Sequence, residues 1–202
     1  MTAPMQHQRV LVLDGDMTPA LAVVRSLGRM GLHVDVASHT GGDSAIAGQS
    51  RYARCMLRHP DPLTDETAFL AWCENIIDQG AYQLIVPVTE RSVVPMQKLL
   101  NHAGGERIAI ASPDALAIVL DKDKTLALAE NLGIPAPRSV LIERMEDIAA
   151  NLAALKLPLV IKPARSIGAD AAGRKQLSVE YAFSARDLET KTERFLRYGP
   201  VL

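Results

Sequence analysis

The chain has 202 residues, a formal net charge of −1, and 48% hydrophobic but only 4% aromatic residues. This length suits one domain, or one domain and part of a second. The 22 basic and 23 acidic residues exclude the basic excess that is typical of nucleic-acid-binding proteins. No apolar run could span a membrane, and the polar residues 1–8 lack the apolar stretch of a secretion signal. We therefore expect a cytoplasmic α/β protein that binds neither nucleic acid nor membrane.

In the first half of the chain, short apolar runs alternate with helical periodicity, which is typical of βαβ units and a mainly parallel sheet. The pattern predicts strands over residues 10–13, 33–38, 52–58, 84–88 and 108–111. Helices are predicted over residues 18–30, 65–79 and 89–101. Thr18 is the expected N-cap of the first helix, with Pro19 in its first position. The first half is thus predicted to be a Rossmann-like domain.

After about residue 112 the pattern changes. Helices are predicted over residues 113–120, 121–132 and 145–155, and Ser112 and Ser184 are expected to cap helices. Strands are predicted over residues 138–142, 158–162 and 176–179, with residues 165–175 as a polar loop. The final residues 198–202 form a turn and the first part of an apolar run. We therefore expect the chain to be a piece of a longer protein.

Cysteines and histidines give little indication of chemistry. Cys55 and Cys73 are too few for a disulfide framework, and we expect two buried thiols in a reducing compartment. The five histidines show no pair at metal-ligand spacing, so surface or capping roles are expected for His7, His33, His39, His59 and His102.

Polar residues follow two of the predicted strands at the edge where parallel sheets bind ligands. Asp14 and Asp16 follow the first strand, where an acidic capping turn and a substrate site are the alternatives. This turn lacks the G-x-G-x-x-G pattern of a dinucleotide site. Thr89, Glu90 and Arg91 follow the strand over residues 84–88. Glu90 could receive an amine or hydroxyl and Arg91 a carboxylate, or the segment could simply begin a helix.

Two lysines stand in a more specific arrangement. Lys122 opens a predicted helix, and Lys162 follows the buried run Leu157–Ile161 about forty residues later. A lysine held by a short buried strand presents a fixed positive charge that suits a phosphate. The small-residue segment after Lys162 can direct backbone N–H groups at phosphate oxygens.

With these motifs the chain resembles the amino-terminal part of the ATP-grasp superfamily, which includes biotin carboxylase and the carbamoyl-phosphate synthase large subunit. The resemblance rests on Asp121-Lys122, on Gly133-Ile134-Pro135-Ala136-Pro137, on Lys162, and on the loop over residues 165–173. It implies a pre-ATP-grasp Rossmann-like domain over residues 1–112, a helical linker over 113–135, and an incomplete first α+β ATP-grasp subdomain over 136–202.

The resemblance also implies a function. The parent protein would be an ATP-dependent ligase that activates a carboxylate as an acyl phosphate for attack by an amine, with ATP and Mg²⁺ as cofactors. Lys122, Lys162, Ser166 and Gly168 would bind the ATP phosphates, and Asp16, Thr89, Glu90 and Arg91 would face substrate. The metal ligands would lie beyond residue 202, so this chain alone would be inactive. Its partners would be small-molecule substrates and a second copy in a homodimer.

The residues are also compatible with two other functions. A small-metabolite or nucleotide binding module without catalysis is favoured by the glycine-poor loop over residues 165–173, which carries Asp170. A nicotinamide-dependent oxidoreductase is disfavoured by the missing G-x-G-x-x-G pattern. Binding of Mg-ATP or of NAD would discriminate these alternatives.

Overall fold

The structure, a computed structural model, describes residues 8–151, 156–170 and 173–202. The chain divides into two compact units, Met1–Ala111 (unit 1) and Ser112–Leu202 (unit 2). Each unit has its own sheets, helices and buried core, as follows.

Unit 1 contains a four-stranded parallel sheet with the strand order β3-β2-β1-β4. Its strands are β1 (Arg9–Val12), β2 (His33–Ser38), β3 (Ala53–Arg58) and β4 (Leu84–Val86). Its helices are α1 (Thr18–Arg29), α2 (Glu66–Asp78) and α3 (Glu90–Met96), with 3-10 turns at Gly42–Ser44, Gln97–Leu99 and Gly105–Arg107. Because the strands are parallel, all four carboxyl ends lie at one edge of the sheet.

Alternation along β1 explains why helices cover both faces of this sheet. Val10 and Val12 pack in one buried cluster that includes Val24 of α1. Leu11 belongs to a second cluster, which includes Phe69 of α2 and extends to Met96 of α3. Successive side chains of a strand point to opposite faces, so a strand with an unbroken apolar run is buried on both sides.

The α/β class predicted from the sequence is confirmed, but several local predictions for unit 1 were wrong. Thr18 is the first helical residue, and the N-cap position belongs to Met17, which makes no side-chain cap. The helix predicted over 89–101 is α-helical only to Met96 and continues as a 3-10 turn over Gln97–Leu99, and Pro95 inside it has no N–H for a helical hydrogen bond. Residues 108–111 form no strand, and only Ile108 bridges to β4. Both cysteines were predicted to be buried, but Cys55 is exposed and only Cys73 is buried.

Unit 2 combines helices with two small antiparallel sheets, β5 with β8 and β6 with β7. The strands are β5 (Leu159–Ile161), β6 (Ile167–Asp170), β7 (Gly173–Gln176) and β8 (Glu180–Ala182). The helices are α4 (Pro113–Val119), α5 (Lys122–Asn131), α6 (Glu146–Asn151) and α7 (Ala185–Leu196). The capping roles predicted for Ser112 and Ser184 are confirmed, since each side chain accepts a backbone N–H in the first turn.

The loop predicted over residues 165–175 instead contains β6 and most of β7, which pair as an antiparallel hairpin. This hairpin is mostly exposed and polar, so it lacks the apolar alternation by which strands are recognised. The strand that pairs with β5 is β8, rather than the predicted 176–179. The predicted strand over 138–142 is reduced to one bridge from Ile142 to Val201. The predicted end of the helix over 145–155 falls on residues 152–155, outside the described residues.

None of the helices in the described parts of the chain combines the length and the apolar character needed to cross a bilayer.

Candidate functional site

Lys122 is placed by the start of α5. The Asp121 carboxylate accepts hydrogen bonds from the backbone N–H groups of Asp123 and Lys124, which caps the helix. The backbone N–H of Lys122 donates to the carbonyl of Ala164 at 3.0 Å. The first turn of α5 is thereby joined to the segment that follows β5.

Lys162 is placed by β5, which it follows directly. Its backbone N–H and carbonyl each make a hydrogen bond of 2.7 Å with Leu202. Ile161, the last residue of β5, is buried in a cluster with Phe195 and Val201. The backbone of Lys162 is therefore fixed on both sides, while its side chain is exposed.

The structure brings three of the four predicted phosphate-binding residues to one region of unit 2. Lys122 Nζ lies 3.4 Å from Ser166 Oγ. Lys122 and Lys162 both line a cavity of about 550 Å³. The rest of its lining is mostly apolar, including Leu126, Val140, Ile142, Ile148, Leu159 and Val201. Two lysines that line a largely apolar cavity can together bind a ligand with an anionic group attached to an apolar one.

Gly168, the fourth residue, has a role in packing. It lies buried in β6, and a Cβ added there would come within 2.6 Å of the Tyr198 Cβ. The neighbouring Asp170 accepts a hydrogen bond from the Tyr198 hydroxyl, which raises the pKa of that phenol. The hairpin of β6 and β7 is therefore held against Tyr198, and one oxygen of the Asp170 carboxylate is engaged there.

In unit 1, Asp14 organises the turn between β4 and α3. Its Oδ2 accepts hydrogen bonds from Val88 N at 3.1 Å, Thr89 N at 2.7 Å and Ser92 Oγ at 2.6 Å. Asp14 is only 1% exposed and has a positive φ of 57°. Thr89 occupies the N-cap position of α3 but makes no side-chain cap, so Asp14 satisfies this helix end instead.

Asp16 and Arg91, which the sequence also singled out, come together at the same edge. Arg91 Nη1 donates to Asp16 Oδ2 at 3.4 Å. Asp16 Oδ1 accepts from Ser38 Oγ at 2.8 Å. Glu90 is the first residue of α3 and is half-buried.

The sequence predicted surface or capping roles for His39 and His59, but His59 is buried and both belong to this arrangement. His39 follows β2 and has its ring nitrogens 3.0 Å from Arg91 Nη1. His59 follows β3, is 4% exposed, and has its ring centroid 6.4 Å from that of His39. Both histidines come directly after predicted strands, and that position was the signal that could have identified them.

We call the whole group the sheet-edge cluster. It consists of Asp14, Asp16, His39, His59, Asp61 and Arg91. Among the described residues, neither this cluster nor any other group of three or more His, Cys, Asp or Glu is arranged to hold a metal ion.

The fold is similar to the amino-terminal part of several larger enzymes. N5-carboxyaminoimidazole ribonucleotide synthetase from Thermus thermophilus matches 95% of this chain at a TM-score of 0.59 and 18% identity. The biotin carboxylase domain of 2-oxoglutarate carboxylase from Hydrogenobacter thermophilus, solved as a dimer with MgADP, ADP and bicarbonate, matches 96% at a TM-score of 0.60 and 12% identity. Phosphoribosylamine–glycine ligase from Thermotoga maritima matches 96% at a TM-score of 0.54 and 17% identity.

These matches cover 45%, 43% and 42% of the respective proteins, so the chain spans a little under half of their length. No protein-family model and no curated protein matches the sequence. The three similar structures are all ATP-grasp enzymes. The chain therefore has the fold of the amino-terminal portion of an ATP-grasp enzyme.

Proposed function

We propose that this chain is the amino-terminal portion of an ATP-dependent ligase that activates a carboxylate as an acyl phosphate for attack by an amine. The observation that carries the proposal is the position of Lys122 and Lys162 on one largely apolar cavity, with Ser166 Oγ 3.4 Å from Lys122 Nζ. The fold, which is that of the amino-terminal portion of an ATP-grasp enzyme, also supports the proposal. The resemblance in sequence motifs implies that the same side chains bind the ATP phosphates.

The charges of this site suit phosphoryl transfer. Two ammonium groups, one at the start of α5 and one after β5, would offset the negative charge of the phosphates and help to orient them. Ser166 would donate its hydroxyl to a phosphate oxygen, and the hairpin that contains Gly168 would exclude water from the acyl phosphate.

Magnesium would supply charge neutralisation between the phosphates. Among the described residues, no group of three or more His, Cys, Asp or Glu side chains is arranged to hold a metal ion. As the resemblance implies, we propose that its ligands belong to the parent protein outside these 202 residues, and we expect the 202-residue chain alone to be inactive.

We propose for the parent protein the domain organisation that the ATP-grasp resemblance implies. Residues 1–112 would be the pre-ATP-grasp domain, 113–135 a helical linker and 136–202 the start of the ATP-grasp domain. Asp16, Thr89, Glu90 and Arg91 would bind a substrate in the first of these domains. A cytoplasmic location and a homodimer are part of the proposal, the latter supported by the dimer of the biotin carboxylase domain.

Substitution of Lys162 tests the proposal in the full-length protein. We expect Lys162→Ala to abolish ATP turnover, because the loss removes a fixed positive charge from the phosphates. The matched control is Lys156→Ala, since Lys156 is also an exposed lysine of unit 2 but does not line the cavity. Normal ATP turnover by the Lys162→Ala protein would contradict the assignment.

Ligand-dependent melting tests the cofactor separately. Mg-ATP should raise the Tm of the full-length protein, since a ligand stabilises only a native state that binds it, and NAD should leave the Tm unchanged. The rise should be lost in Lys162→Ala and kept in Lys156→Ala. A rise with NAD instead would favour the oxidoreductase alternative.

A binding module without catalysis is the second candidate. The observation that favours it is the hairpin, in which Gly168 packs on Tyr198 and Asp170 adds a negative charge beside Tyr198. In that case Mg-ATP would raise the Tm, but no carboxylate in a substrate screen would stimulate phosphate release by the full-length protein.

A further inference from the structure

The exposed part of the sheet-edge cluster draws one side chain from the end of each strand of unit 1. Asp16 follows β1, His39 follows β2, Asp61 follows β3 and Arg91 lies in the first turn after β4. The His39 ring lies 3.6 Å from an Asp16 oxygen and 3.9 Å from an Asp61 oxygen. These side chains are between 15% and 25% exposed, so the group remains accessible to a small ligand.

The buried part of the cluster contains two acceptor atoms. Asp14 Oδ1 and His59 Nε2 are fully buried, and neither has a hydrogen-bond partner within the described parts of the chain. The other ring nitrogen of His59, Nδ1, lies 2.8 Å from the carbonyl oxygen of Pro60. A carbonyl can only accept, so Nδ1 carries the proton and Nε2 presents a lone pair. Both buried atoms therefore require a donor.

His59 lies between the apolar core of unit 1 and the other side chains of the cluster. Its ring packs on Phe69 and Trp72 at centroid distances of 5.0 and 5.3 Å, and its centroid lies 6.4 Å from that of the His39 ring. Burial lowers the pKa of His59, although the carboxylates of Asp14 and Asp16 oppose the shift. The imidazole is thus neutral at neutral pH, and Nε2 is available as an acceptor.

The net negative charge of the cluster favours a positively charged ligand. Three carboxylates, those of Asp14, Asp16 and Asp61, stand against the single guanidinium of Arg91. Arg91 is already engaged by Asp16 and His39. An anion would meet a surplus of negative charge here, whereas a cation with several N–H groups would satisfy both the charge and the unpartnered acceptors.

We propose that the sheet-edge cluster binds the protonated amino group of the substrate amine. That an amine is a substrate rests on the proposed function. That the cluster binds a cation with N–H donors follows from the residues of unit 1 alone. It assigns to Asp14, His39, His59 and Asp61 a role in ligand recognition, and it commits this edge of the sheet to the amine rather than to the carboxylate.

The binding experiment uses two cations that differ in their donors. The full-length protein, labelled with ¹⁵N at histidine, is titrated with ethylammonium chloride, tetramethylammonium chloride and sodium chloride. Ethylammonium should shift the Nε2 resonance of His59 saturably, because it carries three N–H donors. Tetramethylammonium has the charge but no donor, and it should fail. Equal effects of the two cations, or no effect of either, would overturn the proposal.

Two variants locate the effect. Asp14→Asn keeps an acceptor for Val88 and Thr89 but replaces the other carboxylate oxygen with a donor, and His59→Phe removes the acceptor while keeping a ring against Phe69. Each should weaken ethylammonium binding roughly tenfold or more, as expected for the loss of a charged hydrogen bond. Binding to His59→Phe is followed by the ¹⁵N resonances of His39.

The matched control is Asp78→Asn, because Asp78 pairs with His102 at 2.8 Å in an exposed position outside the cluster. It should bind ethylammonium as the unaltered protein does. Mg-ATP melting is recorded in parallel on every variant. Loss of the Mg-ATP effect with ethylammonium binding intact would refute the proposed function alone, whereas the reverse would refute the amine site alone.

Discussion

The two units differ in how completely they bury their apolar side chains. In unit 1 the sheet lies between helices, and Leu11, Phe69 and Ile85 are at most 2% exposed. Among the described residues of unit 2, the buried cluster consists of Ile161, Ala182, Phe195 and Val201, and Tyr181 and Phe183 are 56% and 70% exposed. Burial of apolar surface is the main source of stability, so unit 1 should be the more stable unit. The proposed phosphate lysines belong to the unit with fewer buried apolar side chains in its cluster, and the proposed amine site belongs to the more fully buried unit.

The largest expected effect comes from truncating a core phenylalanine in each unit. Phe69→Ala should cost about 3–5 kcal/mol of unfolding free energy, because it leaves a cavity in a closely packed core. Phe195→Ala should cost less, since the smaller cluster around it can collapse more readily. Urea unfolding measures both, with fluorescence of Trp72, the only tryptophan, reporting unit 1 and circular dichroism reporting both units.

If Phe195→Ala were the more costly change, the stability order of the units would be reversed. Because two units can unfold separately, the two signals should be fitted independently.

A pair of glycines gives a smaller and more local comparison. An added Cβ would come within 2.4 Å of the Tyr52 Cβ at Gly28 in α1, and within 2.6 Å of the Tyr198 Cβ at Gly168 in β6. Gly28→Ala and Gly168→Ala should each cost about 1–3 kcal/mol from overpacking. Thermal unfolding should show the first effect in the Trp72 signal and the second in circular dichroism only.

Gly41→Ala is the matched control, since no heavy atom would lie within 4 Å of its Cβ and its φ is −116°. If Gly168→Ala lowered the unfolding free energy no more than Gly41→Ala does, the hairpin of β6 and β7 would not be packed closely against Tyr198.

The smallest expected effect is on pH dependence. Burial lowers the pKa of His59 below its ordinary value of 6.5. At a pH between the pKa values of the folded and unfolded states, the unfolded state therefore binds more protons at this histidine. The unfolding free energy should therefore fall as the pH is lowered through 6.5. His59→Phe should show a shallower loss between pH 7.5 and pH 5.5 in urea unfolding followed by Trp72 fluorescence. Identical slopes for the two proteins would contradict the inferred burial of a neutral imidazole.

The same contrast appears in what could be predicted from the sequence. The strands of unit 1 are continuous apolar runs, and the capping residues Ser112 and Ser184 have side chains that accept backbone N–H groups, so local composition was sufficient for them. The hairpin of β6 and β7 was not predicted, because its pairing depends on contacts such as that of Gly168 with Tyr198. Such contacts join residues that are distant in sequence and leave no periodic signal.

The residue types by themselves determined the α/β class, the candidate lysines Lys122 and Lys162, and the acidic turn at Asp14 and Asp16, because each depends on a short pattern. Only the tertiary structure decided that Lys122 Nζ lies near Ser166, and that His59 faces His39 across the sheet edge. The physical reason is that a parallel sheet collects the ends of strands that are far apart in the chain, and nothing local to His59 reveals which neighbours it will meet.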